Sequence, residues 1–338
     1  LIYKKSTTKM SYFLQSIPIS VGFFKFGYCN NGHFGNIYFP FSTYLTKIFK
    51  GDEILTFNNN GFTLNDGAVL PFVGLGTIGI NGDQGTFEIL NALNIGYRLI
   101  DTSTNYDNEG IVGEAVRRSA LPREEILVST KLPGAYHEYD KAFIFIQESL
   151  RRTGLKYFDK YLIHWPNPKD GKYVEAWKAL VDAQKQGLIR TIGVSNFEPE
   201  HLDDIIEATG VTPATNQVER HPYFNNNRMV EENKKRGILT EAWSPFGRGY
   251  LNDVLENATI KEIADKYDKT PAQIILNWNY QAGVFSLPKS SNQVHQKDNF
   301  NSTNFELAPE DIEKIDSLDK GEAGRVEGQD PNEYHEYV

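Results

Sequence analysis

Gly74-Leu75-Gly76-Thr77-Ile78-Gly79 spells G-x-G-x-x-G, and Asp101 lies 22 residues beyond its last glycine. Taken alone, the pattern belongs to a dinucleotide-binding βαβ unit, with the acid on the ribose hydroxyls. That fingerprint works only if a helix packs tightly behind the third glycine. Here Ile80-Asn81-Gly82-Asp83-Gln84-Gly85 intervenes, and a helical pattern becomes convincing only from Thr86. What decides the fold is therefore the number of strand and helix units around this stretch.

Eight short apolar, β-rich runs read as strands: 72–75, 98–101, 126–130, 160–163, 191–194, 214–218, 239–242 and 284–287. Between them lie helix-length segments at 86–95, 109–119, 141–152, 174–185, 198–209 and 227–236, most of them followed by glycine. That is a frequent helix stop. Ile111, Val112, Ala115 and Val116 share one face of the second. Further helical patterns occupy 260–267, 271–281 and 294–300. Eight such units with right-handed crossovers predict a closed (β/α)8 TIM barrel, not an open doubly wound sheet. Upstream, Ile54–Phe57 and Phe62–Leu64 are strand-like and Asn65-Asp66-Gly67 is a turn signal, which predicts an N-terminal β-hairpin capping the barrel bottom. The expected domain division is 1–52 as an extension and 53–338 as the barrel.

The 338 residues carry 35 Lys+Arg against 44 Asp+Glu, a net charge of −9. Residues 1–51 hold six lysines and no acid, so this stretch is +6 and the remainder −15. A global basic field for nucleic acid is excluded as a first reading. The extension lacks the long apolar run of a membrane span and the arginines of a transit peptide. It is expected to be an atypical segment without a stable fold of its own, and membrane contact is not expected. The single cysteine, Cys29, cannot form an internal disulfide or a multi-thiolate metal site. It favours a reducing, cytoplasmic setting.

In a barrel the working residues stand at the C-terminal ends of strands. Asp101 closes the second strand, Tyr106 follows in its loop, Lys131 closes the third strand and His164 the fourth. Singly, each has a structural explanation: a loop tyrosine, a buried ion pair, a satisfied core histidine. Four such residues on consecutive units at one rim point to chemistry.

With these residues in place the chain resembles the aldo-keto reductases, most closely the short bacterial members similar to 2,5-diketo-D-gluconate reductase. The resemblance runs from about Ile54 to Val338. It rests on Gly96-Tyr97-Arg98-Leu99-Ile100-Asp101, Tyr106 with Asn108-Glu109, Thr130-Lys131-Leu132, His164-Trp165-Pro166, Gly193–Phe197 and Asn216-Gln217. It implies an NADPH-dependent oxidoreductase that reduces aldehydes, α-dicarbonyls or keto-sugars to alcohols. Tyr106 is then the general acid, His164 orients the carbonyl oxygen, Lys131 shifts the tyrosine and Asp101 holds the lysine. An ammonium about 4 Å from a phenolate, at an effective dielectric of about 20, interacts by about 4 kcal/mol, so a mildly depressed tyrosine is expected. No metal is implied.

The resemblance also assigns the cofactor residues. Ser195, Asn196 and Gln217 hold the carboxamide, Trp243 stacks on the nicotinamide, and Gly76 and Thr77 lie near the ring. Lys289, Ser290 and His295 take the 2′-phosphate, and Asn299 approaches the adenine. Relatives usually carry Arg where His295 stands. His is mostly neutral above pH 7, which implies a softer phosphate clamp and tolerance of NADH beside NADPH. Ile78 and Trp165 form opposite walls for a small carbonyl substrate, and a monomer is expected. A different reading of the same barrel is a non-catalytic, cofactor-binding regulatory subunit.

Overall fold

The structure is a computed structural model that describes residues 10–14, 23–30, 33–40, 57–58 and 61–337. The chain divides between Asn58 and Asn59 into two compact units. In the first, β1 (Met10–Leu14), β2 (Phe23–Asn30) and β3 (His33–Pro40) form an antiparallel sheet in chain order, and a two-residue strand, β4 (Phe57–Asn58), follows. Of the expected strand Ile54–Phe57, only Phe57 falls among the described residues, and it opens β4.

The second unit opens with β5 (Gly61–Thr63) and β6 (Val69–Leu70), which pair antiparallel. The expected turn joins them, but the expected arms are shifted. Asp66 Oδ1 accepts from the Ala68 N–H at 2.9 Å, and the Leu64 N–H donates to Ala68 O at 2.8 Å. The turn therefore folds the chain onto the segment after it, which makes Val69–Leu70 the second arm. Phe62 meets Phe72, Tyr280 and Phe285 edge-on, with ring centroids 6.0, 6.1 and 6.2 Å apart. Asn65 Nδ2 donates to Pro213 O at 2.9 Å, just ahead of the sixth barrel strand. These contacts place the hairpin across the N-terminal mouth of the barrel.

The barrel strands are β7 (Leu75–Gly76), β8 (Leu99–Asp101), β9 (Leu127–Leu132), β10 (Phe158–Ile163), β11 (Ile189–Ser195), β12 (Thr215–Glu219), β13 (Leu239–Trp243) and β14 (Phe285–Leu287). Each pairs parallel with its neighbours in chain order. Two backbone bonds join the last strand to the first: the Gly74 N–H to Ser286 O and the Gly76 N–H to Pro288 O, both 3.1 Å. This closure explains the apparent dinucleotide fingerprint. A Cβ on Gly74 would lie 2.7 Å from Leu287, 2.8 Å from Leu99 and 2.9 Å from Phe285. A Cβ on Gly76 would lie 3.0 Å from Leu287 O. The two glycines let β7 approach β14; the spacing reflects packing inside the barrel.

Outside run α1 (Gly82–Ile95), α2 (Glu109–Arg118), α3 (Tyr139–Thr153), α4 (Tyr173–Lys185), α5 (Pro199–Thr209), α6 (Asn227–Lys235), α7 (Leu251–Leu255), α8 (Ala258–Tyr267), α9 (Pro271–Gln281), α10 (Gln293–Phe300) and α11 (Pro309–Asp316). α1 starts at Gly82, earlier than the expected Thr86. Gly85 permits this, because a Cβ there would strike Ile111 at 2.7 Å and Ile80 at 3.0 Å. The expected apolar face of α2 is buried through Val112, Ala115 and Val116. Neighbouring helices add Ile146, Trp177, Leu180 and Leu202, each worth about 1.5–3 kcal/mol when fully buried. Among the described residues no helix is long and apolar enough to cross a membrane.

Candidate active site

A cavity of about 650 Å³ opens at the C-terminal ends of the strands, lined by Asp101, Tyr106, His164, Trp165 and Trp243 among others. Asp101 and Lys131 arrive on adjacent strands, β8 and β9, with Lys131 Nζ 2.6 Å from Asp101 Oδ2. The same ammonium donates to Thr102 O at 2.9 Å and lies 5.2 Å from the centre of the Tyr106 ring. His164 follows β10, held by its N–H to Leu132 O at 3.0 Å. Its ring stands edge-on to Tyr106 at 6.3 Å. The structure thus brings together all four residues singled out from the sequence.

Tyr106 depends on its neighbours for position. It ends a 3₁₀ turn, Thr104–Tyr106, and Asp107 leaves that turn at φ 54°. Asn108 Nδ2 then donates to Thr77 O at 2.8 Å and Ile80 O at 3.0 Å, and Asn108 Oδ1 accepts from the Thr102 hydroxyl. Glu109 starts α2 and accepts from Thr130 Oγ1 and Arg152 Nε, both at 2.7 Å, and from Ser149. Asn108 and Glu109 are almost fully buried. Their place in the sequence motif is explained by locking the loop that presents the phenol.

The electrostatics correct one expectation. Burial alone would lower the Lys131 pKa, but Asp101, Tyr106 and Glu241 more than reverse this and hold it above its ordinary value. Tyr106 is not depressed. Burial pushes its pKa up, the charge and hydrogen bond of Lys131 pull it down, Asp101 and Glu336 add to the rise, and the result is above the usual tyrosine value. The ring is only half-buried against a cavity that admits water, so the upward push is greatest when a ligand covers it. The phenol is therefore held protonated and ready to donate.

Behind Asp101 a polar network fills the barrel. Gln217 Nε2 donates to Asp101 Oδ1 at 3.3 Å and to Glu241 Oε2 at 2.9 Å. Glu241 is also paired with the buried Lys160. Gln217 thus spends its amide nitrogen on carboxylates and has its carbonyl oxygen left to offer a ligand. Ser195 Oγ donates to Gln217 O at 2.8 Å, and Asn196 Nδ2 donates to Ser195 Oγ and His164 O, both at 3.0 Å. Asn196 Oδ1 accepts from Trp243 Nε1 at 2.7 Å, which fixes the indole at the cavity wall. Asn196 adopts φ 62° to serve these three groups.

Gly76, Thr77 and Ile78 line the near wall, where Thr77 Oγ1 donates to Asp101 O at 2.9 Å and Ile78 is exposed. Lys289 lines the cavity and is exposed beside Ser290. His295 is exposed in the first turn of α10, whose N-cap Asn292 accepts from the Val294 and His295 N–H groups. Asn299 is buried on α10 and does not line the cavity. Arg248, on the loop after β13, was not anticipated. Like Lys289 it lines the cavity, and among the described residues neither has an acid within ion-pair distance.

The C-terminal segment was also missed in its detail. Tyr334 packs on Trp165 with centroids 4.2 Å apart, and Glu336 enters the cavity beside His164. Its contacts span up to 231 residues of sequence, as for Asn105, so no local pattern could reveal them.

With this geometry in view, the comparisons with known proteins agree. Residues 73–320 match the model of the aldo/keto reductase family. The chain is 41% identical over 274 residues to 2,5-diketo-D-gluconic acid reductase B of Corynebacterium sp. (strain SHS752001), covering 81% of this chain and 97% of the relative. It is 40% identical to methylglyoxal reductase DkgA of Escherichia coli K12, covering 80% and 96%. Among solved structures, a Gox0644 mutant in complex with NADPH matches with TM-score 0.76 at 39% identity, over 81% of this chain and 97% of that one. Bombyx mori aldo-keto reductase in complex with NADP matches with TM-score 0.73 at 32% identity, over 81% and 97%. The barrel and its site define a carbonyl-reducing class of oxidoreductase. The chain belongs to the aldo/keto reductase family.

Proposed function

We propose that this protein reduces aldehydes, α-dicarbonyls or keto-sugars to alcohols with NADPH, using Tyr106 as the proton donor. The observation that carries this reading is the Lys131 ammonium, clamped by Asp101 at 2.6 Å and set against the Tyr106 ring beside His164. In this reading the substrate oxygen sits between Tyr106 and His164. Tyr106 gives it a proton, His164 fixes its direction, and Lys131 stabilises the phenolate left behind. Asp101 offsets the cost of a buried ammonium.

The donor set suits the cofactor. Arg248 and Lys289 are cations without acidic partners among the described residues, as a phosphate-bearing ligand requires. The Trp243 indole offers a flat face, and Ser195, Asn196 and Gln217 offer polar groups for a carboxamide. When bound, NADPH supplies the hydride. Names of relatives support the substrate class: one is a diketogluconic acid reductase and another a methylglyoxal reductase. A non-catalytic role gains nothing from these observations. We also read the protein as a monomer acting on small carbonyls, and place it in the cytoplasm, the last supported by its single cysteine.

The test is oxidation of NADPH and NADH over a panel of aldehydes, α-dicarbonyls and keto-sugars. Turnover is expected with NADPH, and with NADH to within about 10³ in kcat/KM, because His295 grips the 2′-phosphate less firmly than Arg. No turnover of any carbonyl would refute the function. A preference above about 10³ would refute the role given to His295.

A further inference from the structure

Glu336 is 3% exposed, yet its carboxylate forms part of the cavity wall. Its Oε1 accepts from Asn105 Nδ2 at 2.6 Å and its Oε2 from the Gly134 N–H at 2.8 Å. Oε1 also lies 2.6 Å from His164 Nδ1, a close polar contact that is not an aligned hydrogen bond. The main chain is pinned as well. The Glu336 N–H donates to Asn167 Oδ1 at 3.0 Å, and Asn167 Nδ2 donates to Glu336 O at 2.9 Å. Asn167 is buried and adopts φ 45° to do so. Two residues earlier, Tyr334 is packed on Trp165. A carboxylate has thus been built into the substrate end of the cavity and fastened there from side chain and backbone together.

Such a charge has few nearby cations to cancel it. Lys131 is neutralised by Asp101. Arg248, on the loop after β13, acts on Tyr334 from farther off and makes no ion pair with Glu336, and Lys289 stands on the loop after β14, where the cofactor phosphate is assigned. A substrate whose carbonyl oxygen reaches Tyr106 and His164 must bring its remaining atoms close to the His164–Glu336 contact. We propose that Glu336 is a specificity-determining residue that selects uncharged carbonyl compounds and disfavours those bearing a carboxylate. The proposal rests on the reductase function above and narrows its substrate class, setting this chain apart from the relative named for a keto-sugar acid. A second negative charge brought beside this buried carboxylate meets repulsion that an ester of the same shape does not.

The experiment compares 4-carboxybenzaldehyde with methyl 4-formylbenzoate, using NADPH, in wild type, Glu336→Gln and Glu336→Asp. Wild type should prefer the ester. Glu336→Gln keeps the shape and an acceptor for Gly134 but removes the charge. It should narrow the ester-to-acid ratio of kcat/KM by about tenfold, mainly through a lower KM for the acid. Glu336→Asp keeps the charge and should keep the preference for the ester. Turnover with an unchanged ratio in Glu336→Gln, or a wild-type preference for the acid, would overturn the proposal while leaving the reductase function standing. No turnover of either compound by wild type would overturn both.

Discussion

Lys131 is the residue on which the site turns. Its side chain is 1% exposed and its charge is balanced by Asp101, itself nearly buried. Replacing Lys131 by Met leaves the Asp101 carboxylate with little beyond the longer Gln217 contact at 3.3 Å. Breaking a buried pair from one side costs about 3–5 kcal/mol, so the urea midpoint of Lys131→Met should fall accordingly, with turnover lost. A midpoint equal to wild type would mean that the pair is not buried as described. At this scale the sequence was informative where chemistry sits at a strand end. Asp101, Lys131 and His164 each close or directly follow a strand, and Tyr106 lies one turn beyond the second. What it could not supply was the direction of the tyrosine's pKa, because pairwise charge is visible in a motif and desolvation is not. Nor could it reveal Glu336, whose partners Asn105 and Gly134 lie 231 and 202 residues away.

The elements are legible wherever an apolar period ends at a glycine or another stop residue. All eight barrel strands fall in the expected places, most with ends shifted by one or two residues. The first is the exception: expected at 72–75, it pairs regularly only at Leu75–Gly76. Its glycines weaken strand character and serve closure instead. Gly74→Ala should therefore cost about 1–3 kcal/mol, seen as a lower thermal midpoint, with the Kd for NADPH little changed. A large loss of cofactor affinity at unchanged stability would revive the phosphate-binding reading of the glycines. Two helices escaped the sequence reading. α7 has five residues and little room for periodicity, whereas α11 carried a usable signal in Pro309-Glu310-Asp311.

The turn after β9 carries a pH dependence. His137 is buried, both ring nitrogens lack a hydrogen-bond partner among the described residues, and burial pushes its pKa down to about 4. Unfolded, it titrates near 6.5. From about pH 6.5 down to 4 the unfolded chain takes up a proton that the folded chain refuses, so stability falls as pH falls and levels off below 4. Between pH 7 and 5, wild type should lose about 2 kcal/mol more than His137→Leu in urea unfolding. Equal losses would show that this imidazole is not held neutral.

For the molecule as a whole, charge and topology divide the work. The chain carries −9 overall, yet the cavity is lined by the cations Arg248 and Lys289 as well as by Glu336. Closure of β14 onto β7 by the Gly74 and Gly76 N–H groups brings the loop bearing Lys289 beside the loop bearing Ile78. Neither local pattern nor composition contains that proximity. It follows from closing eight parallel strands into a ring.

The central claim is that the Tyr106 hydroxyl delivers the proton. The most direct measurement is kcat of Tyr106→Phe for a reactive aldehyde, with the Kd for NADPH determined alongside. Loss of the positioned acid should lower kcat by about 10²–10⁴ while Kd stays within a few-fold of wild type. A variant that turns over at a rate close to wild type, with cofactor bound equally well, would contradict the assignment.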